Sequence, residues 1–301
     1  MVVARTGDKV GGGEYVLEQE LGRGLLGRSF RAAHGKKKKR VVIKALDHDD
    51  YAFLLKTRYC ERVNLDHVAS VRGFERVLVE GDQAWIVAGP CADKTLAASL
   101  QGGPMRLGPA REVLLGAARV LAAAHARDRV HGWLKPSNIL LEAGTNVVIS
   151  DFGLAPVARR LGAERLKEYL AGEGKAALEY LPPEERDGAT PPTPQTDVYS
   201  LGVIVRQALG ADIPAPMAAL VARATGPREA RSADARELLK ELEREAQSGK
   251  FAAVTPKADV PAAVPAAPAT QVAEFDPMAS DPSDEPAAAA AASGAPAAPP
   301  R

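Results

Sequence analysis

Short β-prone runs open the chain: Tyr15 to Leu21, Ser29 to Ala33 and Val41 to Leu46 are separated by glycine-rich or lysine-rich stretches. Runs of this kind between turn-forming residues predict an antiparallel sheet. Ala52 to Val63 is compatible with a helix, and two further β-prone runs follow, Arg76 to Val79 and Ala84 to Ala88. Past Gly89 and Pro90 the spacing changes. Leu114, Ala118, Leu121 and His125 recur at helical intervals and place one apolar stripe on a helix from about Pro109 to Arg127. Helical spacing then predominates to Ala246, with Ser232 as the cap of a last helix that buries Leu238, Leu239 and Leu242. From about Thr255 onward Ala and Pro dominate, punctuated by Asp276-Pro277, Asp281-Pro282 and Glu285-Pro286, with neither period present, which predicts disorder. The acidic stretch around Glu274, Phe275, Asp276, Met278 and Asp281 reads either as a docking motif or as part of a solvated linker.

Composition narrows the partner more than the fold. The 301 residues are 46% hydrophobic and 26% charged, enough apolar material for one large domain or two lobes. The 39 basic and 38 acidic side chains nearly cancel, so no global field points to nucleic acid or to an anionic membrane. Cys60 and Cys91 show no metal-ligand spacing and fit a reducing cytoplasm better than a disulfide framework. Met1 to Asp8 lacks the apolar core of a secretory signal, and no run of apolar residues is long enough to span a bilayer, so a cytoplasmic location is expected. The basic turn Lys36-Lys37-Lys38-Lys39-Arg40 reads as a solvated hairpin tip, with contact to an acidic partner as the alternative.

The chemistry is carried by short motifs. Gly22, Gly24 and Gly27 form G-x-G-x-x-G after one predicted strand and before another, whereas a dinucleotide-binding crossover would need a helix there. Val41-Val42-Ile43-Lys44 follows, with a lysine in reach of phosphates under the glycine turn. Then come Val130-His131-Gly132-Trp133-Leu134-Lys135-Pro136-Ser137-Asn138-Ile139-Leu140-Leu141 and Ile149-Ser150-Asp151-Phe152-Gly153. This ordered set resembles the protein kinase family, in the style of bacterial Ser/Thr kinases. Tyr180-Leu181-Pro182-Pro183-Glu184 and Asp197-Val198-Tyr199-Ser200-Leu201-Gly202 extend the resemblance, which covers roughly residues 14 to 245.

The resemblance implies an α+β, bilobal fold: a small β-rich N-lobe at 14–88, a hinge at 89–93, a mainly helical C-lobe at 94–245 and a disordered tail at 246–301. It implies ATP and Mg²⁺ as cofactors, with Gly22, Gly24, Gly27 and Lys44 around the phosphates. Adenine would lie against Gly89 and take a hydrogen bond from the amide of Cys91, beside a small Ala88. Asn138 and Asp151 would hold metal.

Several family positions are changed. Trp133 stands where the resemblance implies the catalytic aspartate, and an indole cannot accept a proton at neutral pH. Lys135 is retained. Gly132 replaces the arginine that would receive a phosphorylated loop, and no Ser or Thr occurs from Phe152 to Ala189. Ala177 replaces a threonine that would contact the aspartate. The helix glutamate that would clamp Lys44 falls on Arg58, with Glu61 as a substitute one turn later; without it Lys44 is expected to be free. Only Gly210 to Met217 separates the helix after Asp197 from the next, so the substrate-docking αG region is expected to be shortened. These changes lead to a pseudokinase that binds Mg-ATP and regulates or scaffolds a protein partner, an active kinase among the candidates. A weakly active Ser/Thr kinase and a nucleotide-free structural adaptor are the competing expectations.

Overall fold

A computed structural model describes residues 4–24, 27–37, 39–46, 70–81, 83–92, 94–142, 146–154, 175–187, 189–211 and 213–247. The predicted helix from Ala52 to Val63, the positions Arg58 and Glu61, Tyr169 and the tail lie outside the described residues.

The N-terminal part is a six-stranded antiparallel sheet in the order β1-β2-β3-β4-β7-β6. Its strands are β1 (Lys9–Val10), β2 (Tyr15–Gly24), β3 (Gly27–His34), β4 (Lys39–Leu46), β6 (Arg76–Glu80) and β7 (Gln83–Pro90). Alternation decides which face is buried. On β4, Val41, Ile43 and Ala45 pack with Phe30, Ala32, Tyr15, Leu17, Trp85 and Val87 in one apolar cluster. Val42 and Lys44 therefore point to the opposite face, where they line a cleft. The basic tip between β3 and β4 is partly paired: Lys39 donates to Glu75 and Arg40 to Glu18, both at 2.9 Å.

The second part is helical around a smaller sheet, β5-β10-β9-β8, that the periodicity reading missed. Its strands β5 (Val71–Arg72), β8 (Lys94–Thr95), β9 (Ile139–Glu142) and β10 (Asn146–Ser150) are too short to display a period. β5 joins β10 in parallel, the other pairs being antiparallel. The helices are α1 (Leu96–Leu100), α2 (Leu107–His125), α3 (Pro194–Leu209), α4 (Ala215–Ala224) and α5 (Ala235–Gln247). α2 starts and ends two residues before its predicted bounds, and the apolar stripe is as expected, Leu114, Ala118, Leu121 and His125 all being buried. α3 begins in a capping box between Thr193 and Thr196, with Pro194 at its first position, where a missing N–H costs nothing. Just Gly210 to Pro214 separate α3 from α4, in line with a shortened substrate-docking region.

The cap of α5 is Asp234 rather than Ser232. Its Oδ1 accepts from the amides of Arg236 at 2.7 Å and Glu237 at 3.1 Å. Ser232 is buried two residues earlier, too far back to reach the orphan amides. Leu238 and Leu242 are buried as expected, whereas Leu239 only flanks the core.

The α3/α4 crossing depends on a missing side chain. A Cβ on Gly202 would lie 2.8 Å from Ala224 Cβ and 3.0 Å from Thr225 Cγ2. Gly202→Ala is expected to cost about 1–3 kcal/mol by overpacking. That is roughly 2–4 °C of melting temperature per kcal/mol for a domain of this size, read by thermal denaturation.

Candidate functional site

The site is built on one loop, which a buried carboxylate shapes. Asp197, near the start of α3, is fully buried; its Oδ2 accepts from the amide of His131 at 2.9 Å and its Oδ1 from that of Gly132 at 2.8 Å. Its third partner is His125, whose Nε2–H donates at 2.8 Å while its Nδ1 accepts from the Ala235 amide at 3.0 Å. Gly132 sits at φ +79°, left-handed backbone that a side chain would resist. The fold thus turns the chain sharply before Trp133.

His131 is fixed by the same logic. Its Nδ1 accepts from the Trp133 amide at 3.2 Å and its Nε2–H donates to the Ser150 carbonyl at 2.9 Å. Burial pushes the imidazole below its usual range, against the pull of Asp197, so it is neutral with both nitrogens in use. It meets Phe152 edge to face, with ring centroids 4.9 Å apart.

Between the two sheets lies a cleft of about 540 Å³. Gly22, Gly24 and Gly27 roof it, where β2 and β3 meet through the Gly24 and Gly27 pair. Val42, Ala88 and Leu140 supply apolar walls, and Lys44, Lys135, Asn138, Asp151 and Trp133 supply the inner end. The sequence motifs therefore converge on one cavity. Trp133 is buried, 7% exposed, and presents an indole where a proton acceptor is expected. Among the described lining residues Asp151 is the single carboxylate.

That carboxylate is already occupied. Lys44 Nζ donates to Asp151 Oδ2 at 2.9 Å, and Asn138 Nδ2 donates to the same oxygen at 2.6 Å. Lys44 is therefore paired with a carboxylate from the C-terminal part, while the expected helix positions Arg58 and Glu61 lie outside the described residues. Burial works to raise the Asp151 carboxyl, but the adjacent Lys44 outweighs it and holds the group below the usual carboxylate range. Lys135 is pushed below its usual range by burial, which Asp151 opposes and the charge of Lys44 reinforces.

These contacts decide what the residues fit. A triphosphate fits in volume and charge, because glycines allow close approach and ammonium groups face the cavity. A divalent cation fits poorly. Mg²⁺ demands several open oxygen ligands in near-octahedral geometry, whereas Asp151 is the single carboxylate among the described lining residues and its Oδ2 already takes both Lys44 and Asn138.

Gly89 and Cys91 require a correction. β4 and β7 pair as Ile43 with Val87 and then Val41 with Pro90, so β7 carries one extra residue, a bulge, with Gly89 at φ +78°. Pairing continues past the bulge, and the Cys91 amide donates to the Arg40 carbonyl at 3.1 Å. Cys91 lines the cleft, but the donor assigned to adenine belongs to the sheet. The sequence reading also missed Arg23, within the glycine motif, and Arg31, Arg72 and Lys94, outside the recognised motifs, all of which line the cleft. Arg72 donates to the Pro90 carbonyl and pairs with Glu142. A second hollow of about 380 Å³ shares Lys135 and Ser137 with the cleft and is bordered by Ala177 and Tyr180.

The protein kinase domain family model matches residues 15–247. The serine/threonine-protein kinase pkn2 of Myxococcus xanthus is 29% identical over 212 residues, covering 67% of this chain and 25% of that protein. The serine/threonine-protein kinase PknA of Mycobacterium tuberculosis is 30% identical over 212 residues, 67% of this chain and 48% of its own length. This chain thus spans between about a quarter and a half of these curated relatives. Among solved structures, the PknI kinase domain of Mycobacterium tuberculosis superposes with a TM-score of 0.56 at 15% identity, covering 82% of this chain and all of that one. That likeness is one of fold. No helix among the described residues is long and apolar enough to cross a membrane.

With the Cys91 amide committed, a purine gains a bond there only by breaking another. Competition binding is therefore expected to separate ATP from GTP by less than about tenfold, the worth of roughly one net hydrogen bond.

Proposed function

The chain belongs to the protein kinase family, and from that premise we propose that it is a nucleotide-binding pseudokinase that regulates or scaffolds phosphorylation signalling through a protein partner, in the cytoplasm. What supports this reading is one juxtaposition: Trp133 lines the same cleft as Lys44, Lys135 and Asp151, and the only carboxylate among the described lining residues is held by Lys44. Among the described lining residues, a phosphoryl acceptor brought to this cleft finds cations for the phosphates and no free base for its hydroxyl. Neutral His131 does not substitute, because both ring nitrogens are engaged. Loss of a general base alone costs roughly 10² to 10⁴ in rate, and kinases turn over at roughly 1 to 100 per second, so a rate of roughly 10⁻⁴ to 1 per second is what the weakly active alternative would show.

The ligands that would grip a nucleotide stand together, with Gly22, Gly24 and Gly27 over Lys44. The short α3–α4 connection removes a platform for peptide substrates. Retention of Lys135 and Asp151 keeps a weakly active Ser/Thr kinase as the second reading. The commitment of the Cys91 amide favours the third, an adaptor without nucleotide.

Two measurements separate the three. Radiolabelled phosphate transfer is expected to be no higher in the wild type than in Asp151→Asn; a clear excess would make the protein an enzyme. ATP at about 100-fold over its dissociation constant is expected to stabilise the fold by about 2.7 kcal/mol, seen as a rise of roughly 5–10 °C in melting temperature. No rise with or without Mg²⁺ would leave the adaptor.

A further inference from the structure

The cleft is unevenly charged. Arg23, Arg31, Lys44, Arg72, Lys94 and Lys135 line it, against Asp151 as the single carboxylate among the described lining residues, a surplus of five positive charges. Arg23 and Arg72 have partners elsewhere, Glu142 in the case of Arg72, and Arg31 donates to the neutral Gln19. The two deepest, Lys44 and Lys135, share Asp151: Lys44 is in direct contact, and Lys135 makes no ion pair with any described residue.

Resting on the nucleotide-binding reading, we propose that this cleft takes its polyphosphate as the metal-free anion, with the Lys44 and Lys135 ammonium groups doing the neutralising that a divalent cation would otherwise do. Two observations carry this. First, a cation entering at Asp151 must share that carboxylate with the Lys44 ammonium and the Asn138 amide, which both donate to its Oδ2, and no group of three or more acidic, His or Cys side chains stands among the described residues to complete a shell. Second, a divalent cation adds positive charge to a cavity that already carries a surplus, whereas the bare anion removes it. A buried ammonium short of counter-charge is the group that gains most from a phosphate oxygen.

Under this proposal Asp151 competes with the phosphates for Lys44 instead of helping to bind them. Removing its charge inverts the effect expected of a metal ligand. Isothermal titration of the full chain with ATP, in EDTA and then in excess Mg²⁺, tests it directly. The expected result is binding in EDTA that is as tight as in Mg²⁺ to within about threefold, or tighter, with inorganic tripolyphosphate competing under EDTA. Asp151→Asn is expected to strengthen binding in EDTA by at least about threefold, and Lys135→Met to weaken it by about tenfold. Binding that requires Mg²⁺ overturns the proposal while leaving the nucleotide reading intact, and the wild-type comparison decides this even if a variant fails to fold. Loss of ATP binding in Asp151→Asn that has kept its melting transition also overturns it. Absence of binding under both conditions defeats the nucleotide reading and the proposal with it.

Discussion

A buried carboxylate without a full set of donors would be intolerable in this protein, and Asp197 has three: two backbone amides and one imidazole. Those bonds fasten the loop at His131 and Gly132 to the start of α3, and His125 passes the constraint on to α5 through the Ala235 amide. Everything beyond Gly132 inherits the geometry. Trp133, Lys135 and Asn138 reach the cleft because the loop cannot relax without stranding polar groups in the core. None of this requires phosphoryl transfer. A scaffold held by its own hydrogen-bond accounting stands independently of whatever chemistry the cleft performs.

The inner end of the cleft is held by a second constraint of the same kind. Asp151 is held by a lysine from the sheet above and an amide from the loop below, so the two halves of the domain are cross-linked through one oxygen. An ion pair this enclosed offers little net stability, since desolvating both charges offsets most of their attraction. Its importance lies in specification: it fixes where the Lys44 ammonium sits and which group an incoming anion must displace. Trp133 lines the same end with an indole and supplies no carboxylate to take a proton.

Much of this was legible in the residues, for reasons that differ from element to element. The strands carrying Gly22 to Gly27 and Lys44 were visible because turn residues punctuate them, and α2 because its stripe holds for several turns. The convergence of Lys44, Asn138 and Asp151 was what the protein kinase resemblance carried by the ordered motifs implied. The bulge at Gly89 was not legible. Gly-Pro reads as a boundary between elements, and nothing local says that pairing resumes across it. The cap at Asp234 was misassigned to Ser232 because both are capping residue types, and only the packing of α5 selects between them. Arg72 belonged to no pattern, since a two-residue strand has no period and its role comes from a partner 70 positions away. Contacts that join distant segments through single side chains leave no signature along the chain.

That arginine carries a mechanical consequence. Its guanidinium reaches the Pro90 carbonyl in the connection between the two sheets and a carboxylate at the end of β9, while the strand bearing it is itself zipped in parallel to β10. The back of the cleft is therefore stapled along two independent lines. One guanidinium thus fastens the end of β7 to the second sheet at the margin of the cleft, so any hinging of one sheet against the other there has to break that contact first.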